Sequence, residues 1–171
     1  MRHSQRGYTL AEALISGLII VTLTSIAIPC HSWIQQQRLK SSKSQLQQLT
    51  LHARSYALQN NERVTLCHLA IDQRCSNLWS PQLSLFSDPN GNRRLDHDER
   101  LITFSNLGAV SLQWRGMAPA NSLHFNGSGH TFVSNGTFSL CLPGQETLYK
   151  LVLNRQGRLR TETQHTGCNA D

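Results

Sequence analysis

Residues 6–29 read RGYTLAEALISGLIIVTLTSIAIP. Glu12 stands at the edge of a run from Ala13 to Gln37 that contains no other acid and no Lys or Arg. About 20 helical residues span the hydrocarbon core of a bilayer, so this run is long enough for a membrane helix. Burying an ionised carboxylate in lipid is costly unless it meets a partner. The position of Glu12 therefore indicates a partner of opposite charge.

Other interpretations of this N-terminus fit it less well. A secretory signal peptide carries its apolar core uninterrupted to a small-residue cleavage site, whereas here an acid opens the core. Cys30 suggests a lipoprotein site, but Pro29 before it fits that site poorly. An ordinary membrane anchor explains the apolar length, although it leaves the spacing of Gly7 and Glu12 unexplained.

The junction resembles the prepilin signal of type IV pilins and type II secretion pseudopilins. That signal is a basic leader ending in Gly, then an aromatic residue, then Thr-Leu, then Glu at the fifth mature position. Here these are Gly7, Tyr8, Thr9-Leu10 and Glu12. Pro29 falls where pilins commonly have a helix-kinking proline.

The resemblance implies cleavage by prepilin peptidase after Gly7 and N-methylation of Tyr8. The new amino group of Tyr8 then offers a partner for Glu12 of a neighbouring subunit during assembly. It also implies a single-pass protein of the bacterial inner membrane with its head in the periplasm. Its expected partners are other pilins or pseudopilins in a pilus or pseudopilus.

The composition agrees with one small exported domain. The chain has 171 residues and a formal charge of +6, which falls to +4 when Arg2 and Arg6 leave with the leader. This moderate basicity permits an anionic partner without demanding one. Five cysteines in an exported domain suggest disulfides.

The cysteine spacing suggests which pairs form. Cys67 and Cys75 bracket a short loop, and Cys141 and Cys168 are placed to staple the C-terminal tail to a strand. These four cysteines allow three pairings, and the sequence does not exclude the other two. Cys30 is left over at the membrane end of the helix.

Periodicity divides the rest of the chain. From Trp33 to Asn60 apolar residues recur at helical spacing on a polar background, without Gly or Pro. We expect one helix from about Thr9 to Asn60, kinked at Pro29. After Asn61, short apolar runs alternate with Gly-containing turns, which is typical of an antiparallel sandwich. The predicted strands are 63–68, 82–87, 101–104, 110–114, 122–125, 131–133, 137–142, 148–154 and 158–163.

The head sequence narrows the resemblance. The head is similar to the GspH/FimT group in several features. They are Val64–Cys67, Cys75, Trp79, and Leu85–Asp88 with the Asn/Gly-rich acidic turn that follows. That group contains the minor pseudopilin H of type II secretion and FimT-like minor pilins. It implies an α+β fold of the type IV pilin kind, a long N-terminal helix with a transmembrane first half packed on an antiparallel β-sandwich head. The expected organisation is a leader at 1–7, a transmembrane or filament-core helix at 8–29, an amphipathic helix at 30–61 and a head at 62–171.

The C-terminal region carries a compact set of cations. Arg158 and Arg160 alternate about one apolar residue, so on a strand both face the same side. With Arg155 and Lys150 nearby and a flexible Gly157 before them, they form a clamp suited to phosphate oxygens. Gly-Arg-Leu-Arg at 157–160 resembles the Gly-Arg-x-Arg motif of FimT-like minor pilins, which implies capture of double-stranded DNA in natural transformation. The structural alternative is an edge strand kept soluble by charge.

The sequence patterns for a metal site or a catalytic site are weaker than the pattern of C-terminal cations. Residues 88–99 nearly fit an EF-hand loop, but Arg93 takes the position of the turn glycine and no helix pair flanks the loop. Asp and Asn in a solvated hairpin explain the loop better. The eight histidines form neither H-E-x-x-H nor a close Cys/His spacing. We therefore predict no enzyme, no cofactor and no metal site.

The sequence supports two functions. One is a minor pilin that binds DNA through its C-terminal arginines. The other is a minor pseudopilin of type II secretion, or a subunit that primes pilus assembly, without DNA binding. An identical helix serves both, so only the head distinguishes them.

Overall fold

The computed structural model describes residues 9–117, 120–131 and 133–169, without the side chains of residues 23–31 and 169. It divides into two compact units, one ending at Gln37 and the other beginning at Arg38. The elements are α1 (Leu10–Asn60), β1 (Val64–Cys67), β2 (Gln82–Ser87), β3 (Leu101–Asn106), β4 (Ser111–Gly116), β5 (Leu123–Phe125), β6 (Gly136–Cys141), β7 (Leu148–Leu153), β8 (Leu159–Gln164) and a 3-10 turn (Gly167–Asn169).

The long helix predicted from the sequence is confirmed, and polar residues define both of its ends. At the start, the Thr9 hydroxyl oxygen accepts a hydrogen bond from the Glu12 backbone N–H at 3.3 Å. At the end, Asn61 adopts a φ of 49°, a conformation that stops a helix. The Glu62 N–H then donates to the Ala57 carbonyl at 3.1 Å, which satisfies a carbonyl of the last turn.

In the first unit, the described apolar side chains of the helix are exposed. The large ones are Leu10, Leu14, Ile15, Leu18, Ile19, Ile20, Val21, Trp33 and Ile34. Within the described residues, none of the helices has the length and apolar character needed to cross a membrane. The transmembrane assignment of residues 8–29 stays a prediction, and residue 8 and the side chains of 23–29 lie outside the description.

In the second unit, two four-stranded antiparallel sheets share one core with the helix. Their strand orders are β3-β2-β1-β5 and β4-β6-β7-β8. The helix contributes an apolar stripe, and both sheets contribute alternate residues to the same cluster. The helical part of this core is Leu39, Leu46, Leu49, Ala53 and Ala57. This arrangement confirms the predicted α+β class.

Eight of the nine predicted strands form, with ends within two residues of the expected positions. The strand predicted at 131–133 is wrong. Thr131 donates its backbone N–H to the Arg155 carbonyl at 3.0 Å and its hydroxyl to the Asn154 carbonyl at 3.0 Å. Thr131 is therefore used to fasten the β7–β8 turn, while Phe132 lies outside the described residues.

Candidate nucleic-acid interface

The β7–β8 turn, residues 154–158, places two of the predicted cations in solvent. Asn154 organises it: its N–H donates to the Arg158 carbonyl at 3.1 Å, and its side-chain oxygen accepts from the Arg158 N–H at 2.9 Å. The Gly157 N–H also donates to the Asn154 carbonyl at 3.0 Å. With the backbone held by three bonds, Arg155 and Arg158 are exposed at the surface.

Gly157 is a packed position in this turn and not the flexible joint expected from the sequence. It is buried and has a φ of 73°. A Cβ atom there would lie 2.6 Å from the Gly129 carbonyl oxygen and 3.0 Å from Phe125 Cε1. The Arg54 guanidinium on the helix also donates to the Gly157 carbonyl at 3.3 Å. The glycine of the motif is therefore required by close packing and by its left-handed backbone.

Arg160 and Lys150 lie on the two strands of the same hairpin. In the β7–β8 register, Arg160 is opposite Val152 and Lys150 is opposite Glu162. The Arg160 guanidinium forms an ion pair with Glu162 at 2.9 Å, and both side chains are exposed, by 78% and 40%. Such an exposed pair contributes at most about 1 kcal/mol, so a phosphate can displace the carboxylate.

The structure thus brings together all four cations predicted for DNA binding on one hairpin. Two of them, Arg155 and Arg158, project from the turn, and the other two occupy the flanking strands. Within the described part of the chain, no hydrogen bond or ion pair engages the side chains of Lys150, Arg155 or Arg158. These three charges are available to an anion without breaking any internal contact.

The residues predicted for processing and assembly are described only in part. Gly7 and Tyr8 lie outside the described residues. Glu12 is exposed in the first helical turn, where its backbone N–H donates to the Thr9 hydroxyl that caps the helix. This cap by Thr9 is a local feature that the sequence reasoning missed, although a Thr directly before a helix is its usual signal.

The structure joins Cys67 to Cys75 and Cys141 to Cys168, with Cα atoms 5.6 Å and 5.4 Å apart. The first bond closes the loop between β1 and β2. The second holds the C-terminal 3-10 turn against the end of β6. The side chain of Cys30 lies outside the description.

The acidic loop, residues 88–99, is held by internal contacts. Asp88 is fully buried, where its carboxylate accepts a hydrogen bond from the Thr65 hydroxyl at 2.5 Å and lies 3.8 Å from Arg63 Nε. Hydrogen bonds from the Asn92 and Asn90 amides hold the pKa of Asp96 below its usual range. No group of three or more His, Cys, Asp or Glu side chains in the described residues is arranged to hold a metal ion.

A Ser–His contact appears that the sequence did not suggest, because the two residues are ten positions apart across a loop. His124 Nδ1 lies 2.6 Å from the Ser134 hydroxyl oxygen, and the backbone N–H of His124 donates to the same oxygen at 3.3 Å. Burial, with the charges of Arg63 and Arg93, lowers the pKa of His124 to about 4. An imidazole this weakly basic is a poor general base at neutral pH, and Ser134 is itself buried. The pair therefore fits a structural contact.

Comparison with known proteins finds one matching family model and similar solved structures. A family model described as type II transport protein GspH matches residues 44–157. The type IV minor pilin FimU of Pseudomonas aeruginosa superposes with a TM-score of 0.58 at 18% identity, covering 76% of this chain and 92% of FimU. The minor pseudopilin EpsH of the Vibrio cholerae type 2 secretion system gives a TM-score of 0.48 at 19% identity, covering 71% and 93%. No curated protein matches the sequence.

Proposed function

The chain belongs to the GspH family of type IV pilin-like proteins, and we propose that within this family it is a minor pilin that captures double-stranded DNA. The capture serves uptake in natural transformation. The observation that carries the proposal is the single hairpin that presents Lys150, Arg155, Arg158 and Arg160. Three of these four cations have no internal partner among the described residues.

The hairpin suits phosphates because its geometry is set before binding. The hydrogen bonds around Asn154 and the packing of Gly157 hold the turn backbone, so binding orders only side chains. Guanidinium groups match phosphate oxygens with paired donors. Contacts confined to the backbone of the duplex give affinity without base readout. The expected binding is weak, independent of sequence and strongly dependent on salt.

We propose that assembly uses the N-terminal helix. The leader is removed after Gly7 by prepilin peptidase, the helix rests in the inner membrane, and neighbouring pilins take it up into a filament. Exposed apolar residues in the first helical unit support this, because a helix with such a surface needs lipid or other chains to cover it. We also propose that the chain has no catalytic role.

One observation favours the alternative, a pseudopilin or priming subunit without DNA binding. Arg160 already has an ion-pair partner in Glu162, and β8 is an edge strand of its sheet. Charged residues on an edge strand prevent unwanted pairing with other chains. On this alternative the cations only keep the edge soluble.

A binding experiment separates the two functions. Full-length protein in non-ionic detergent is titrated with a fluorescent duplex of arbitrary sequence at several salt concentrations. With two or more phosphates engaged, the plot of log affinity against log salt has a slope of about −2 or steeper. The double variant Arg158→Gln, Arg160→Gln loses binding, while its melting temperature stays near that of wild type because both residues are exposed.

The matched control removes the same charge elsewhere. Arg74 and Arg100 are exposed and lie outside the β7–β8 hairpin, so the double variant Arg74→Gln, Arg100→Gln keeps wild-type binding. Equal binding by wild type and the Arg158/Arg160 variant, or no binding by wild type at low salt, supports the alternative instead.

A further inference from the structure

The outer face of the β4-β6-β7-β8 sheet is larger than the β7–β8 hairpin, which contributes only some of its residues. Burial alternates along its strands. Inward positions are Leu112, Trp114, Phe138, Leu140, Tyr149, Leu151 and Leu153, all buried in the core. Outward positions are Gln113, Arg115, Thr137, Ser139, Lys150, Val152, Arg160 and Glu162. This outward set, called here the outer face, is polar except for Val152 and is partly or fully exposed.

Strand register aligns these residues in two rows across the sheet. The first row runs Arg115, Thr137, Val152, Arg160 from β4 to β8. The second row, two residues further from the β7–β8 turn, runs Gln113, Ser139, Lys150, Glu162. Arg115, on the opposite edge strand, therefore lies in the same row as Arg160, which the sequence spacing of 45 residues did not indicate.

The dimensions of the rows match a stretch of duplex. Strands lie about 4.8 Å apart, so the three intervals between β4 and β8 separate Arg115 from Arg160 by about 14 Å. The two rows are about 7 Å apart along the strands. A duplex carries one phosphate per about 1.7 Å of its axis when both strands are counted, so this length of duplex holds about eight phosphates, of which those that face the sheet can contact it.

Charge on the outer face is cationic with one internal anion. Arg115, Lys150 and Arg160 are its cations, and Glu162 is its one acid. Glu162 contacts Arg160 and is opposite Lys150, so its carboxylate occupies a place where a phosphate would meet both cations. Arg115 is exposed, and no hydrogen bond or ion pair engages its side chain within the described residues.

We propose that the phosphate-binding surface extends across the whole outer face from Arg160 to Arg115, and that Glu162 weakens it as an internal competitor for Arg160. This inference rests on the DNA binding proposed above, and it adds Arg115 and Glu162 to the residues that set affinity. The duplex lies over both rows. Its phosphate backbone contacts Arg115 at one edge of the sheet and the hairpin cations at the other.

The test uses full-length protein and the same duplex titration. Arg115→Gln makes the log–log salt slope shallower by about 0.9, the contribution of one phosphate contact, and weakens affinity about eightfold at 0.1 M salt. Glu162→Gln strengthens binding by about twofold to fivefold, the range that release from an exposed ion pair allows, because it frees Arg160 with little change in side-chain shape. Arg100→Gln is the matched control and leaves both affinity and slope unchanged. Melting temperatures of all variants are measured to show that each one is folded.

The outcomes separate this inference from the proposed function. The extended surface is overturned if Arg115→Gln keeps wild-type affinity and salt slope while the Arg158/Arg160 variant loses binding. That result would confine the site to the hairpin. Unchanged affinity in Glu162→Gln overturns the role of the competitor. Failure of the Arg158/Arg160 variant to lose binding, or failure of wild type to bind, overturns the proposed function itself.

Discussion

Replacing Gly157 by Ala tests whether the motif glycine is needed for packing. Two penalties are expected. The left-handed backbone costs a residue with a Cβ about 1–2 kcal/mol. The new Cβ would also lie 2.6 Å from the Gly129 carbonyl oxygen, a backbone atom with little room to yield, and such overpacking costs about 1–3 kcal/mol. Lower entropy of the unfolded chain offsets about 0.4–1 kcal/mol. We therefore expect a net loss of about 1–4.5 kcal/mol in the free energy of unfolding.

Gly144 provides the matched control, because its φ is 81° and a Cβ there would meet no atom within 4 Å. Gly144→Ala has the backbone penalty without the clash, so it should lose no more than about 1.5 kcal/mol. The two variants are compared by urea unfolding, monitored by tryptophan fluorescence, with the disulfides intact. Their difference measures the clash. If the two variants unfold at the same urea concentration with the same slope, Gly157 is not held by the contacts described here and the packing argument is refuted.

Two further predictions concern charge. His124 stays neutral in the fold, whereas in the unfolded chain it takes up a proton below its ordinary pKa, so wild-type stability should fall by about 3 kcal/mol between pH 6.5 and pH 4. His124→Gln should lose that pH dependence in unfolding curves measured across the same range. An equal change of stability with pH in both proteins would contradict the prediction. Glu12→Gln should keep the hydrogen bond from the backbone N–H of residue 12 to the Thr9 hydroxyl but, like Glu12→Ala, fail to enter sheared filaments while remaining in membrane fractions, because both variants lack the charge that meets a neighbour's amine. Normal incorporation of the Gln variant would contradict this role of the charge.

Much of the fold could be predicted because local signals agreed with it. The helix stop at Asn60–Asn61 depends on a side chain that tolerates a positive φ, and the strands are separated by Gly-containing turns. The predicted strand at 131–133 failed for a tertiary reason. Its β-branched and aromatic residues are compatible with a strand, but the backbone N–H and the hydroxyl of Thr131 bond to the β7–β8 turn, 23 or more residues away. Local composition cannot report a partner at that distance.

The candidate site was predictable only along one hairpin. Arg158 and Arg160 are neighbours in sequence, so strand geometry alone places them on one side. Arg115 is on another strand, and its row is fixed by the register of three strand pairs that no short sequence pattern reveals. The burial of Gly157 was missed for the same reason, since the atoms that exclude a Cβ come from Gly129 and Phe125.

A modest net charge is compatible with DNA binding because affinity depends on where charge lies and how firmly it is held. After loss of the leader the chain has a formal charge of only +4, yet Lys150, Arg155, Arg158 and Arg160 share one hairpin. Contacts with phosphates release counterions locally, so a few cations grouped on one hairpin contribute more than the same number scattered over a surface. The acidic loop at 88–99 holds Asp88, Asp96 and Glu99 in internal contacts and lies on the strand connection between β2 and β3, outside the outer face. Its acids therefore lower the net charge of the chain without lying on the outer face that the duplex would cross.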